Sequence, residues 1–128
     1  MNYETLYEKL GHLFYAIASA DKHVHPAEFE RLKTLVSKEW LPLEDSTDAF
    51  GTDAAHYISI AFDYLQSEGV SSEEAFDVFS AYYEDNSSKF TPAIKKKILS
   101  TATAIADAFG TTNKKEKESL NTLKRLLK

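Results

Sequence analysis

The stretch AIASADKHVHPAEFERLKTL, residues 16–35, recurs in altered form near the end of this chain of 128 residues. Placed over AIADAFGTTNKKEKESLNTL, residues 104–123, at a constant offset of 88, it matches at nine of twenty positions without a gap. The match covers a helix end, a connection of eight residues and the next helix start. We therefore predict two equivalent helical hairpins, related by a pseudo-two-fold axis and packed around central helices.

Apolar residues recur at the helical period along nearly the whole chain, and no stretch alternates as a strand would. Helices are predicted at about residues 3–20, 26–40, 53–67, 71–85, 91–109 and 114–127, with a loop over residues 42–51 that has room for a short turn. Gly69 and Gly110 are helix ends, and Ser71 with Glu74 forms a capping-box pattern. The fold class is all-α, with six or seven helices in a single domain, residues 1–128. The residues predicted to face the core are Leu6, Leu10, Leu13, Phe14, Ile17, Phe29, Leu32, Leu35, Val36, Ile58, Ala61, Phe62, Leu65, Ala75, Phe76, Phe79, Tyr82, Ile94, Ile98, Leu99, Ala102, Ile105, Ala106, Leu120, Leu123 and Leu127.

Composition excludes several classes of protein. Cysteine is absent, so there is no disulfide framework and no thiolate metal site or nucleophile. The first residues are acidic where a signal peptide would be basic, and no apolar run approaches the roughly 18 residues of a membrane span. We expect a soluble cytoplasmic protein that is not inserted in a membrane.

Charge is distributed unevenly along the chain. Residues 1–43 carry a net charge of −1, residues 44–90 carry −10 and residues 91–128 carry +6. Nucleic-acid binding needs a dominant basic face, so none is expected. Lys95, Lys96 and Lys97 contact an acidic partner or, as is more common for such a run, form a solvated helix face or complement the acidic half of this chain. The acidic region, residues 44–85, is the predicted docking surface for a protein partner.

The hairpin connections resemble those of TerB-like domains, the all-helical family named for bacterial tellurite resistance. That pattern is a helix ending in Ala-Asp-Gly, an apolar residue two positions later, and a Glu that opens the next helix. ADKHVHPAE, residues 20–28, has Lys22 in place of the Gly, and AFGTTNKKE, residues 108–116, keeps Gly110 but has Phe109 in place of the Asp. The resemblance covers roughly residues 5–127. It implies a non-enzymatic accessory protein of a bacterial stress-response or tellurite-resistance system, acting at the membrane through a partner. It also implies divalent-cation binding at Asp21 and Glu28.

The first connection carries four candidate metal ligands, Asp21, His23, His25 and Glu28. If Glu28 is aligned with position 12 of an EF-hand loop, Asp21 falls at a ligand position. The same alignment puts Lys22 at the position of the required glycine and Ile17 at the first ligand position. The connection is therefore not an EF-hand. The two imidazoles with two carboxylates suit zinc or nickel. A weak divalent-cation site is the alternative function, and no other cofactor is expected.

A capped turn explains the same residues without an ion. With Pro26 at the first helical position, His25 is the N-cap and Glu28 the third residue, where its carboxylate can accept the N-cap N–H. Asn113 and Glu116 occupy the same positions in the second hairpin. We favour the capped turn.

Catalytic motifs are not found in the sequence: there is no Gly-rich phosphate loop, nucleophile elbow or His-Glu-x-x-His arrangement. We therefore expect no enzyme. Trp40 is either a docking residue or a cap on the core. An aromatic group is interpreted as core rather than as a ligand pocket: Phe62, Tyr64, Phe76, Phe79, Tyr82, Tyr83 and Phe90.

Overall fold

Helices account for almost all of the chain that the computed structural model describes, namely residues 3–19, 30–31, 33–35, 48–110 and 114–127. The five long helices are α1 (Tyr3–Ala18), α2 (Asp48–Glu68), α3 (Ser72–Asn86), α4 (Pro92–Gly110) and α5 (Lys114–Leu126). A 3₁₀ turn, Ser87–Lys89, follows α3, and residues 30–31 and 33–35 are also helical. These ranges contain no strand, which confirms the all-α fold class.

The helix boundaries agree with the sequence prediction except at the start of α2. That helix begins at Asp48, so the predicted loop over residues 42–51 is wrong from residue 48 onward, and Gly51 lies inside a helix. A glycine in a helix costs only about 1 kcal/mol relative to alanine, and an acidic residue at a helix start interacts favourably with the helix dipole. Residues 42–47, most of the predicted second helix and Trp40 lie outside the described residues.

Helix α1 packs against all four of the other long helices in the described chain, most extensively against α2 and α3. Its five predicted core residues, Leu6, Leu10, Leu13, Phe14 and Ile17, are completely buried. Tyr7, Tyr15, Ala16 and Ala18 are buried as well, so more than one face of α1 is covered. The first helix of the first predicted hairpin is thus itself a central helix of the fold.

Several matched positions of the sequence repeat have the same environment in both copies, although Ala16 is buried and Ala104 only partly buried. Ile17 and Ala18 are buried, as are Ile105 and Ala106. Thr34 donates its hydroxyl to the Glu30 carbonyl at 3.0 Å, and Thr122 donates to the Glu118 carbonyl at 2.9 Å. Threonine in a helix commonly makes this bond, so burial is the more informative agreement. The two connections, residues 20–29 and 111–113, lie outside the described residues.

The predicted aromatic group is largely core. Phe79 stacks on Tyr83 with ring centroids 6.4 Å apart, and Phe90 meets Tyr83 edge-on at 4.8 Å. Tyr82 also packs edge-on against Phe90, at 6.1 Å. Phe62, Phe79, Tyr83 and Phe90 are buried, and Phe76 and Tyr82 are partly buried against them. The prediction is wrong for Tyr64, which is exposed.

The turn between α2 and α3 is closed by backbone bonds and held by a side chain of α1. Gly69 has φ of +64°, and the N–H groups of Gly69 and Val70 donate to the carbonyls of Gln66 and Leu65. This is a Schellman motif, in which glycine adopts the left-handed conformation at low cost. The hydroxyl of Tyr15 donates to the Val70 carbonyl at 2.8 Å. The predicted cap is confirmed, because the Ser71 hydroxyl accepts from the Glu74 N–H at 3.1 Å.

We expect Tyr15→Phe to lower the free energy of unfolding by about 1 kcal/mol at neutral pH, the usual effect of losing one such bond. Burial raises the pKa of Tyr15 above its ordinary value of 10.0. The unfolded chain therefore loses this proton first, and stability falls as the pH rises above about 10. Urea unfolding measured from neutral to alkaline pH should show a shallower alkaline loss in Tyr15→Phe. An identical pH slope in both proteins would contradict this.

Candidate interaction surface

Helices α1 and α2 cross in close contact at Gly11. A Cβ atom placed on Gly11 would lie 2.5 Å from the Ala61 Cβ and 3.2 Å from the Ile58 carbonyl oxygen. Side-chain carbon atoms essentially never approach so closely, so glycine at this position permits the crossing. Ala61, which Gly11 approaches, also lines a groove between the two helices.

That groove has a volume of about 430 Å³. One wall comes from α1 through Thr5, Glu8 and His12, which are spaced three and four residues apart and so share a face. The other wall comes from Tyr57, Ile60, Ala61 and Tyr64 of α2, which follow the same spacing. We call this feature the α1–α2 groove.

Two large hydrophobic side chains beside the groove are exposed. Ile60 is 51% exposed and Tyr64 is 59% exposed, one helical turn apart on α2. The sequence pattern predicts a core position for Tyr64 and gives no assignment for Ile60. The sequence nevertheless indicates a second apolar surface on α2. One stripe of apolar residues faces the core: Ile58, Ala61, Phe62 and Leu65. Tyr57, Ile60 and Tyr64 form another stripe, although a helix needs only one apolar stripe to pack against a core.

The polar side chains that α1 contributes to the groove are those of Thr5, Glu8 and His12. The His12 Nδ1–H donates to the Glu8 carbonyl oxygen, with 2.9 Å between the nitrogen and the oxygen. The Glu8 carboxylate is exposed and lies 3.9 Å from the Lys9 amine. The groove therefore combines apolar and aromatic surface with a polar edge, a composition suited to holding an apolar anchor of another molecule.

The acidic region, residues 44–85, includes α2, which forms one wall of the groove, and most of α3. Its described carboxylates on α2 and α3 are all exposed: Asp63, Glu68, Glu73, Glu74, Asp77, Glu84 and Asp85. Lys33 lies 2.8 Å from Asp63 and 3.8 Å from Glu30, so the helical segment that includes residues 33–35 neutralises part of the acidic charge on α2. Regional net charge in the sequence did not reveal that pairing.

The predicted metal ligands Asp21, His23, His25 and Glu28 lie outside the described residues. Within the described ranges, no group of three or more His, Asp or Glu side chains could hold a metal ion. The divalent-cation hypothesis therefore stays a prediction. A thermal melt of metal-stripped protein with added divalent ions, repeated on Asp21→Ala and Glu28→Ala, tests it.

Comparison of the chain with protein-family models, with curated proteins and with solved structures finds no match. Among the described helices, none is both long enough and apolar enough to cross a membrane.

Proposed function

We propose that this chain is a non-enzymatic interaction protein, with the α1–α2 groove at the centre of the docking surface on its acidic region, residues 44–85. The observation that carries the proposal is the exposure of Ile60 and Tyr64 beside the groove. Scattered exposed apolar residues are normal, but two such side chains on one turn of a helix next to a concavity are typical of an interaction site.

Tyrosine suits this role physically. Its ring buries a large area on binding while its hydroxyl keeps a hydrogen bond, and only two side-chain torsions have to be ordered. Such aromatic anchors dominate binding energy at the centre of protein interfaces. Tyr64, with Ile60 beside it, is therefore the expected anchor of the surface.

The chemistry of the partner follows from the charge of the surface. Residues 44–90 carry a net charge of −10, and Lys89 is the single lysine or arginine among them. A groove between two helices accepts an amphipathic helix through its apolar face. The partner segment is thus a basic amphipathic helix, whose apolar side covers Ile60 and Tyr64 and whose lysines or arginines meet the carboxylates around them.

The test is a titration of isotope-labelled protein with a designed basic amphipathic helical peptide, followed by NMR chemical shifts. We expect the shifts to concentrate on residues 5–12 of α1 and 57–64 of α2. The double variant Ile60→Ser/Tyr64→Ser should weaken binding by about tenfold or more, because each anchor contributes apolar area.

Two controls keep this test specific. Gln66→Ala changes another exposed residue of α2 and should bind as the wild type does. A peptide with the same apolar face and acidic instead of basic residues should bind much more weakly. Equal binding of both peptides, or shifts spread evenly over the chain, would overturn the proposal.

The wider role follows from the resemblance to TerB-like domains and forms part of the same proposal. The chain would serve as an accessory protein in a bacterial stress-response or tellurite-resistance system, with its partner providing any contact with a membrane. The motifs in residues 20–28 and 108–116 support this assignment.

A further inference from the structure

A second groove lies along the outer face of α4, away from the α1–α2 groove. It has a volume of about 620 Å³ and is lined by Pro92, Lys95, Lys96, Leu99, Ser100 and Thr103. These positions follow the helical spacing and form one stripe, about 17 Å long at the rise of an α-helix. The core face of α4 is different, since Ile98, Ala102 and Ile105 are completely buried there. We call this stripe the α4 groove.

Helix α3 presents an acidic stripe of the same length. Glu73, Asp77 and Glu84 are exposed and lie within about 40° of one another around the helix axis. They span twelve residues, and the eleven helical steps between the first and the last again give about 17 Å. Ala81, also exposed, and Ser80, half-buried, lie between them, and such small side chains let another helix come close.

The basic and acidic stripes do not face each other within one chain. The Lys95 amine lies over the ring of Tyr83, 5.8 Å from its centroid, so it meets α3 on the buried side of that helix. Glu73, Asp77 and Glu84 are on the exposed side. The cation–π contact with Tyr83 also restricts the Lys95 side chain at the edge of the α4 groove. Lys95 therefore loses less conformational entropy when it contacts another molecule.

We propose that the α4 groove binds the acidic stripe of α3 from a second copy of this chain. The inference rests on the opposite charge and the equal length of the α4 groove and the acidic stripe. The regions that carry them are also oppositely charged, since residues 44–90 have a net charge of −10 and residues 91–128 have +6. In the contact, Lys95 and Lys96 meet the carboxylates, and Leu99 packs against the small residues of α3. The total charge of −5 opposes association, but the uneven distribution orients two copies favourably. The acidic stripe belongs to the acidic region that the proposed function also uses, but the α4 groove does not, and the inference does not depend on the α1–α2 groove.

The test is sedimentation velocity of the full chain over a range of concentrations. The wild type should associate reversibly, and high salt should weaken the association because exposed charges are screened. Lys95→Glu/Lys96→Glu should raise the dissociation constant by about tenfold or more, and so should Asp77→Lys/Glu84→Lys. An equimolar mixture of these two variants should associate again, because the reversed charges complement each other.

Matched variants separate this contact from other causes. Lys124→Glu/Arg125→Glu makes the same change in net charge on exposed positions of α5 and should associate as the wild type does. Lys96→Glu alone, which leaves the contact of Lys95 with Tyr83 in place, should still weaken association. Thermal melts confirm that each variant is folded.

Three results would overturn the proposal: a wild type that is monomeric at every concentration, association that persists in both reversed variants, or a mixture that stays monomeric. Ile60→Ser/Tyr64→Ser should associate normally. Loss of association in that variant alone would place the contact on α2 and would also overturn the proposal. Peptide binding at the α1–α2 groove is a separate measurement, so this inference and the proposed function can fail independently.

Discussion

Phe79→Ala is expected to lower the free energy of unfolding by about 4 kcal/mol, because it removes a completely buried ring from the core. Phe79 stacks on Tyr83 and meets Phe90 edge-on, with centroids 6.4 Å apart in both pairs. Its loss leaves a cavity and ends both aromatic contacts, each worth about 1 kcal/mol beyond the buried area. Urea unfolding followed by circular dichroism measures the change.

Tyr64→Ala is the matched control within the same predicted aromatic group. Tyr64 is 59% exposed, so its truncation should change the free energy of unfolding by no more than about 0.5 kcal/mol. Similar losses in the two variants would contradict the assignment of Phe79 to the core and of Tyr64 to the surface. The expected contrast separates aromatic residues that maintain the fold from the one available to a partner.

Gly11→Ala is expected to lower the free energy of unfolding by about 3 kcal/mol, at the upper end of the usual cost of overpacking. The added methyl group would lie 2.5 Å from the Ala61 Cβ and 3.2 Å from the Ile58 carbonyl oxygen. Backbone cannot yield as the end of a flexible side chain does, so α1 and α2 must move apart. Because this crossing borders the α1–α2 groove, the variant should also bind the basic peptide more weakly.

The second-site variant Gly11→Ala/Ala61→Gly tests the steric explanation. Removing the Ala61 methyl group restores space for the new one, so the double variant should be more stable than the sum of the two single effects by about 1 kcal/mol or more. Gly69→Ala provides a comparison without a clash, since nothing lies within 4 Å of its Cβ position. Its cost of about 1 kcal/mol comes from the left-handed backbone alone. Strict additivity at positions 11 and 61 would contradict the close-contact explanation.

Particular elements show why parts of the fold were predictable. The spacing of Leu6, Leu10, Leu13, Phe14 and Ile17 specified the core face of α1, and all five are buried. Gly69 and the Ser71–Glu74 cap marked the turn between α2 and α3, because both features act through bonds to neighbouring residues. The start of α2 was not predictable in the same way, since Asp48 to Gly51 combine weak and opposing local preferences.

The candidate interaction surface is only partly predictable from the sequence. Regional charge indicated an acidic docking region, and the exposed carboxylates of α2 and α3 occupy it. Tyr64 was assigned to the core because aromatic residues at helical spacing usually lie there. Lys33 was counted with a separate region of the chain, although its amine contacts Asp63.

The sequence by itself determined the helical class, most helix ends, the main core stripes and the division of charge along the chain. These depend on side-chain periodicity and on bonds between residues close in sequence. Only the tertiary structure decided that α1 packs against every other long described helix, that Gly11 lies against Ala61, and that Ile60 and Tyr64 remain exposed. A helix with two apolar stripes can bury either one. The choice depends on which neighbours reach it, and contacts between residues far apart in sequence determine that.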